Sequence, residues 1–138
     1  VFALDEALKM MREEGLDNIF LRHNKHKLAM SNAVKALNLK LFADEKYLSP
    51  SITAIKTEGM DAEEFRKTIK NNFDILLAGG QDHLKGKIFR VGHLGYVNDR
   101  DIITVVSAIS NTLLNLGKIT AQQAGEALVV VSKYLEEN

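Results

Sequence analysis

Apolar residues recur at helical spacing along the first third of the chain. Leu4, Leu8 and Met11 mark one stripe, which Gly15 ends or bends. Leu16, Ile19, Phe20, Met30, Val34 and Leu37 mark a longer one. His23 and Lys27 fall on that second stripe, which suits a helix packed against another domain as well as its own sheet. The period then shortens to two. Residues 39–43 read as a short strand, 51–57 as a β-branched strand, 74–78 as a third ending at Gly79-Gly80, and 87–91 as the last. Asp61, three residues before Glu64, has capping-box spacing and opens a helix whose buried face is Phe65, Ile69 and Phe73. In the tail, Asn98 caps a helix carrying Ile102, Val105, Val106, Ile109, Leu113 and Leu116, and Gly117 stops it. Thr120 and Gln123 form a second capping box before a helix with Ala124, Leu128, Val131 and Leu135 inward. This order predicts an α+β fold: a small, mostly antiparallel sheet covered by helices on one side, with a long N-terminal helix and a C-terminal αα-hairpin.

Composition narrows the function more than the fold. The 138 residues make one ordinary domain, 46% hydrophobic and 26% charged. Eighteen basic residues balance eighteen acidic ones. That leaves no surplus to displace counterions from nucleic acid, nor a polybasic patch for a membrane surface. No apolar run approaches the ~20 residues of a spanning helix. The absence of cysteine removes disulfides, zinc ribbons and thiol nucleophiles together, and fits a cytoplasmic protein. Position 1 is Val, and the chain runs straight into a helical pattern with no signal peptide, which reads as a piece of something larger.

The residue with most chemistry is Arg90, in the apolar strand Ile88-Phe89-Arg90-Val91-Gly92. Strand periodicity puts it on the face of Ile88 and Gly92, with Phe89 and Val91 facing the other way. A guanidinium cannot shed its charge, so a sheltered one needs an anionic partner, and its planar fork matches the two oxygens of a carboxylate. Two readings stand at this point. Arg90 pairs with an acid of its own chain (Asp74, Asp82, Glu58 or Asp99), or it receives a ligand carboxylate, with Gly92 leaving room. The flexible, glycine-bounded segment from Gly79 and Gly80 to Gly86 is either a plain connection or a site lining. It is not a phosphate loop, since Ile88 rather than Ser or Thr follows Gly86-Lys87. His93 either faces the same site or lies on the surface. His23 and His26 have helical spacing for a shared metal, but nothing nearby completes a zinc set, so no metal site is assigned. No nucleophile elbow or triad is present, so no catalytic residue is assigned.

The run from Lys85 to Gly95, centred on Phe89-Arg90-Val91-Gly92, resembles the C-terminal segment of class V, fold type I, pyridoxal-phosphate aminotransferases. The nearest branch is alanine–glyoxylate and serine–pyruvate aminotransferase, which includes proteins called soluble hydrogenase small subunits. Gly15-Leu16-Asp17-Asn18 with Arg22-His23, Leu37-Asn38-Leu39-Lys40-Leu41-Phe42, and Asn72-Phe73-Asp74-Ile75 with Gly79-Gly80 agree in order and spacing. Asn38 stands where the family has glycine, which a left-handed turn would tolerate. Cysteine desulfurases and phosphoserine aminotransferases share the fold and are second choices.

The resemblance implies that the chain is the small domain alone, with 1–37 an interdomain helical region and 38–138 the lobe that binds the substrate carboxylate. Arg90 would bind the α-carboxylate of the amino acid and of its keto acid, with Gly79, Gly80 and His93 lining the site. The parent would be a cytoplasmic, homodimeric transaminase moving an amino group from alanine or serine to glyoxylate or pyruvate. Its pyridoxal phosphate and Schiff-base lysine would belong to the large domain, so this chain would bind no cofactor and be inactive alone. Its partners would be that large domain and a small amino or keto acid. The alternatives are a stand-alone, non-catalytic module that binds an anion or a partner, and a structural subunit that kept the fold and lost catalysis.

Overall fold

The computed structural model describes residues 1–136. Five helices and four short strands follow one another as α1 (Phe2–Glu14), α2 (Leu16–Ala36), β1 (Lys40–Leu41), β2 (Ile52–Lys56), α3 (Ala62–Phe73), β3 (Ala78–Gly79), β4 (Ile88–Gly92), α4 (Asp99–Asn115) and α5 (Ala121–Glu136). The sheet runs β1-β2-β4-β3 with every pair antiparallel, the α+β arrangement that the sequence predicts.

Alternation along the two five-residue strands decides which face is covered. Thr53 and Ile55 on β2 and Phe89 and Val91 on β4 are all at most 4% exposed and meet Met30, Val34, Ile69, Ile102, Ile109 and Leu113 of the helices. Burying a side chain of that size stabilises by about 1.5–3 kcal/mol, so this layer is the main source of cohesion. Phe89 is fully buried, its ring 5.1 Å from that of Phe65 on α3. The αα-hairpin packs on α2 through Ala127, Val131 and Leu135.

Side-chain caps set the helix starts. Asp61 accepts from the Glu63 and Glu64 amides without a return bond from Glu64, so that cap is half of the predicted box. Asn98 with Asp101, and Thr120 with Gln123, make the reciprocal pair. Asn38 takes φ 56°, the left-handed turn that its position requires.

Several expectations are corrected. The predicted strand 39–43 shrinks to Lys40–Leu41. The predicted strand 74–78 starts only at Ala78, because Asp74 adopts φ 55° as the C-cap of α3 and Ile75 to Leu77 run unpaired to the sheet edge. Leu4, Leu8, Met11, Leu16 and Phe20 of the two apolar stripes are 42–65% exposed, so the first stripe and the start of the second face outward. Phe73 is likewise 38% exposed. Leu116 reads as part of the α4 inner face and is 51% exposed at its C-cap.

Candidate functional site

Arg90 sits at the centre of β4, on the face opposite Phe89 and Val91. Its cross-strand neighbours are Ala54 on β2 and Ala78 on β3, so no bulky side chain shades the half-buried guanidinium from either flank. Gly92, next on the same face, is exposed, and a Cβ there would meet nothing within 4 Å. The face carries Lys40, Lys56 and Arg90 as its charges in the strands, and no acid.

Arg90 Nε donates to the Gly79 carbonyl at 2.9 Å. Among the described residues no carboxylate pairs with it. Of the acids that could have done so, Glu58 holds Lys40 at 2.8 Å, and Asp99 holds His26 at 2.8 Å and Lys25 at 3.0 Å. A carbonyl fixes the direction of the side chain without cancelling its charge. The two terminal nitrogens remain for a two-oxygen anion.

The segment from Gly79 to Gly86 is tighter than a flexible connection. Leu84 N–H donates to Gln81 O, Lys85 N–H to Asp82 O and Lys87 N–H to Leu84 O, winding one turn of 3-10 helix over Ile88. Gly80 is needed for close approach to the backbone, whereas Gly79 makes room for the ends of two side chains. A methyl at Gly80 would collide with the Leu84 carbonyl, and one at Gly79 would stand 2.5 Å from Arg66 Nη1 and 2.6 Å from Glu63 Oε1. Gly79 therefore touches Arg90 through its carbonyl and Arg66 through its α-carbon.

His93 is not brought to this face. It is fully buried on the core side, with Nδ1 donating to the Pro50 carbonyl at 3.0 Å and Nε2 2.9 Å from the Thr53 hydroxyl. Burial holds its pKa down to about 4, and the Pro50 bond opposes that shift only in part. A cleft of about 230 Å³ borders Gly92, lined by Leu76, Leu77, Val97 and Val105 among others; Arg90 does not line it.

His23 and His26 are both hydrogen-bonded within the fold. His23 Nδ1 donates to the Ile19 carbonyl, and its Nε2 accepts from the Gly95 amide. His26 bonds Asp99 through Nε2; burial lowers its pKa and Asp99 counteracts it. No group of three or more metal-ligating side chains occurs among the described residues. Nor is any helix among them long and apolar enough to cross a membrane.

Sequence reasoning passed over Arg66 and Arg22. Arg22 grips Glu14 with two nitrogens at 2.6 and 2.9 Å and the carbonyls of Gly95 and Val97 at 2.9 Å each, tying α1 and the 93–98 loop to α2. The Glu63–Arg66 spacing was visible in the sequence, but the reach of Arg66 to the Leu77 carbonyl was not.

No family model matches the sequence. Curated relatives do. The chain is 55% identical over 83% of its length to a soluble hydrogenase 42 kDa subunit of Anabaena cylindrica, covering 30% of that protein. It is 33% identical over its full length to a serine–glyoxylate aminotransferase of Methylorubrum extorquens, covering 34%. Among solved structures, ureidoglycine–glyoxylate aminotransferase of Bacillus subtilis superposes with a TM-score of 0.87 at 32% identity, over 96% of this chain and 35% of that one. This chain is a homologue of the serine– and alanine–glyoxylate aminotransferases. It spans about a third of the length of the curated relatives it matches, a share consistent with a C-terminal portion, and its fold is that of the aminotransferase small domain.

Homology of this kind implies pyridoxal phosphate, and the residues present do not fit it. A phosphate seeks free amides at a helix start. The starts of α3, α4 and α5 carry Asp61, Asn98 with Asp101, and Thr120 with Gln123 on their first amides, while α1 and α2 have no side-chain cap but each holds an acid in its first turn, Asp5 and Asp17, which repels a phosphate. The lysine nearest Arg90 by register is Lys56, opposite Ile88 rather than Arg90. No step is therefore assigned to the cofactor within this chain.

Proposed function

We propose that this chain is the substrate-carboxylate lobe of a cytoplasmic, homodimeric, pyridoxal-phosphate aminotransferase, the amino donor being alanine or serine and the acceptor glyoxylate or pyruvate. Residues 1–37 are the interdomain helical region and 38–138 the lobe, the last two residues lying outside those described. The cofactor, held by the large domain, supplies the chemistry of amino transfer, and this chain alone is inactive. Arg90 does the positioning. Its terminal nitrogens take the two carboxylate oxygens, and the alanines on either side leave space for the small body of the substrate. Orienting the reactant in this way is worth several kcal/mol of barrier, roughly the scale of a well-placed intramolecular group.

The observation that carries this reading is the guanidinium itself: pinned by a neutral carbonyl, paired with no acid among the described residues, on the open face of the sheet. The homologues that carry aminotransferase names support it independently. In the full-length protein, Arg90→Ala raises KM for amino and keto acid alike and leaves cofactor absorbance intact. Removing one partner of a sheltered charge-assisted pair costs about 2–3 kcal/mol, so kcat/KM falls about 30- to 150-fold. Loss of cofactor in proportion to activity, or an unchanged KM, refutes the assignment.

A further inference from the structure

We infer that Arg66 is a positioning residue for carboxylate binding, acting on Arg90 through the backbone of Gly79; this rests on the carboxylate role of Arg90 proposed above. β3 is weakly held. It is an edge strand of two residues, paired to β4 only at Ala78 and Gly79, with one further bond from Gly80 N–H to Ile88 O. A strand so short has little ladder of its own, and unpaired edge backbone is free to fray. Yet the carbonyl that aims Arg90 is on this strand.

Arg66 supplies the missing restraint. From the middle of α3 its Nε donates to the Leu77 carbonyl at 2.7 Å, one residue before β3 begins. Its Nη1 is held in turn by Glu63 Oε2 at 2.8 Å, which fixes the plane of the guanidinium. Its Nη1 and Cζ take up the space that a side chain on Gly79 would fill. One cation thus braces the entry to β3 by a hydrogen bond and covers Gly79 by contact, while the Gly79 carbonyl meets the second cation, Arg90. The Leu77 side chain, 4% exposed, anchors the same entry from below. A side chain at position 79 would push aside the ends of Arg66 and Glu63, unseating the guanidinium that braces the entry to β3.

The test uses the full-length holoenzyme and two probes that share the carboxylate: KM for alanine, and Ki for propionate, which is alanine without its amino group. Arg66→Met keeps the aliphatic stem and removes every donor. It raises both constants together by roughly 10- to 100-fold, the scale of a small misplacement of a binding group, with kcat and cofactor absorbance little changed. Gly79→Ala, which keeps the guanidinium but evicts it from its seat, gives the same pattern and guards against a poorly folded first variant. A merely structural role for Arg66 lowers the melting temperature and kcat without selectively weakening propionate, and that result overturns the inference. Arg90→Ala run in parallel separates the two claims. If Arg90→Ala binds propionate like the parent, the carboxylate reading itself fails. If it does not, while both Arg66→Met and Gly79→Ala bind normally, only the role of Arg66 is lost.

Discussion

Acid should destabilise this protein well above the range in which its carboxylates titrate, and His93 is the reason. Its imidazole is fully buried between the Pro50 carbonyl and the Thr53 hydroxyl, and the folded-state pKa is near 4. In the unfolded chain the same group titrates near 6.5. The folded value is depressed, so the unfolded state binds the extra proton first. Stability is therefore intact above pH 6.5, falls as the pH drops from 6.5 to 4, and stops falling on this account below 4. The gap of about 2.5 units, at 1.36 kcal/mol each, gives roughly 3 kcal/mol in all, about 2 of them already lost by pH 5. His26 is shifted the same way by burial and adds to the slope, whereas Glu14 and Asp99, held low by Arg22 and by His26 with Lys25, act only below about pH 4. The variant His93→Gln isolates the effect, because glutamine still offers a donor and an acceptor but does not titrate. Denaturant midpoints at pH 7, 6, 5 and 4.5, followed by circular dichroism, should converge for the two proteins as the pH falls, any deficit of the variant at pH 7 shrinking by about 2 kcal/mol at pH 5. Parallel curves across that range would mean that His93 is protonated in the native state at its ordinary pKa, and the burial argument would be wrong.

Two further perturbations probe the scaffold beneath the site. Phe89→Ala removes a fully buried ring packed at a tilt against Phe65 and costs about 3–5 kcal/mol, seen as a large drop in denaturant midpoint; a loss under 1 kcal/mol would show that the core collapses around the gap. Asp61→Ala removes the acceptor for two amides at the start of α3, costs about 1 kcal/mol, and speeds amide exchange at Glu63 and Glu64; unchanged exchange there would show that water caps the helix equally well.

The two long strands were legible because each has one covered face. Ile55, Phe89 and Val91 alternate with Ala54, Arg90 and Gly92, which stay at least partly exposed, and that alternation placed Arg90 opposite the core, although Ile88 on the Arg90 face is buried too. The carbonyl that directs it was not legible, since Gly79 meets Arg90 only after the chain has turned through Gly80 to Lys87. Residues 74–78 misled for a physical reason. Three consecutive apolar residues look like a strand, yet Leu76 is 78% exposed while Leu77 alone is buried. The helical stripe misled at Phe20, which lies outside, but it did place His23 inward; the polar His26 lies inside as well, bonded to Asp99, a partner that an apolar pattern does not register. His93 was read as a surface or site residue, and its burial depends on Thr53 forty positions away.

The open face of the sheet is best understood through what it lacks. A guanidinium sunk to the depth of Phe89 would demand a permanent counter-ion, and a permanent counter-ion would close the site. Left on the rim, it would be hydrated and turn freely, with little to orient a small ligand. Arg90 occupies the middle ground. It is half-buried, flanked by two alanines, and held by a carbonyl that restricts its motion while leaving its full charge in place. On the function proposed above, the remaining stabilisation comes from an anion that arrives and departs. That requirement links the neutral pin at Gly79, the brace at Arg66 and the small neighbours into one arrangement, since each would be superfluous around an arginine whose partner was resident.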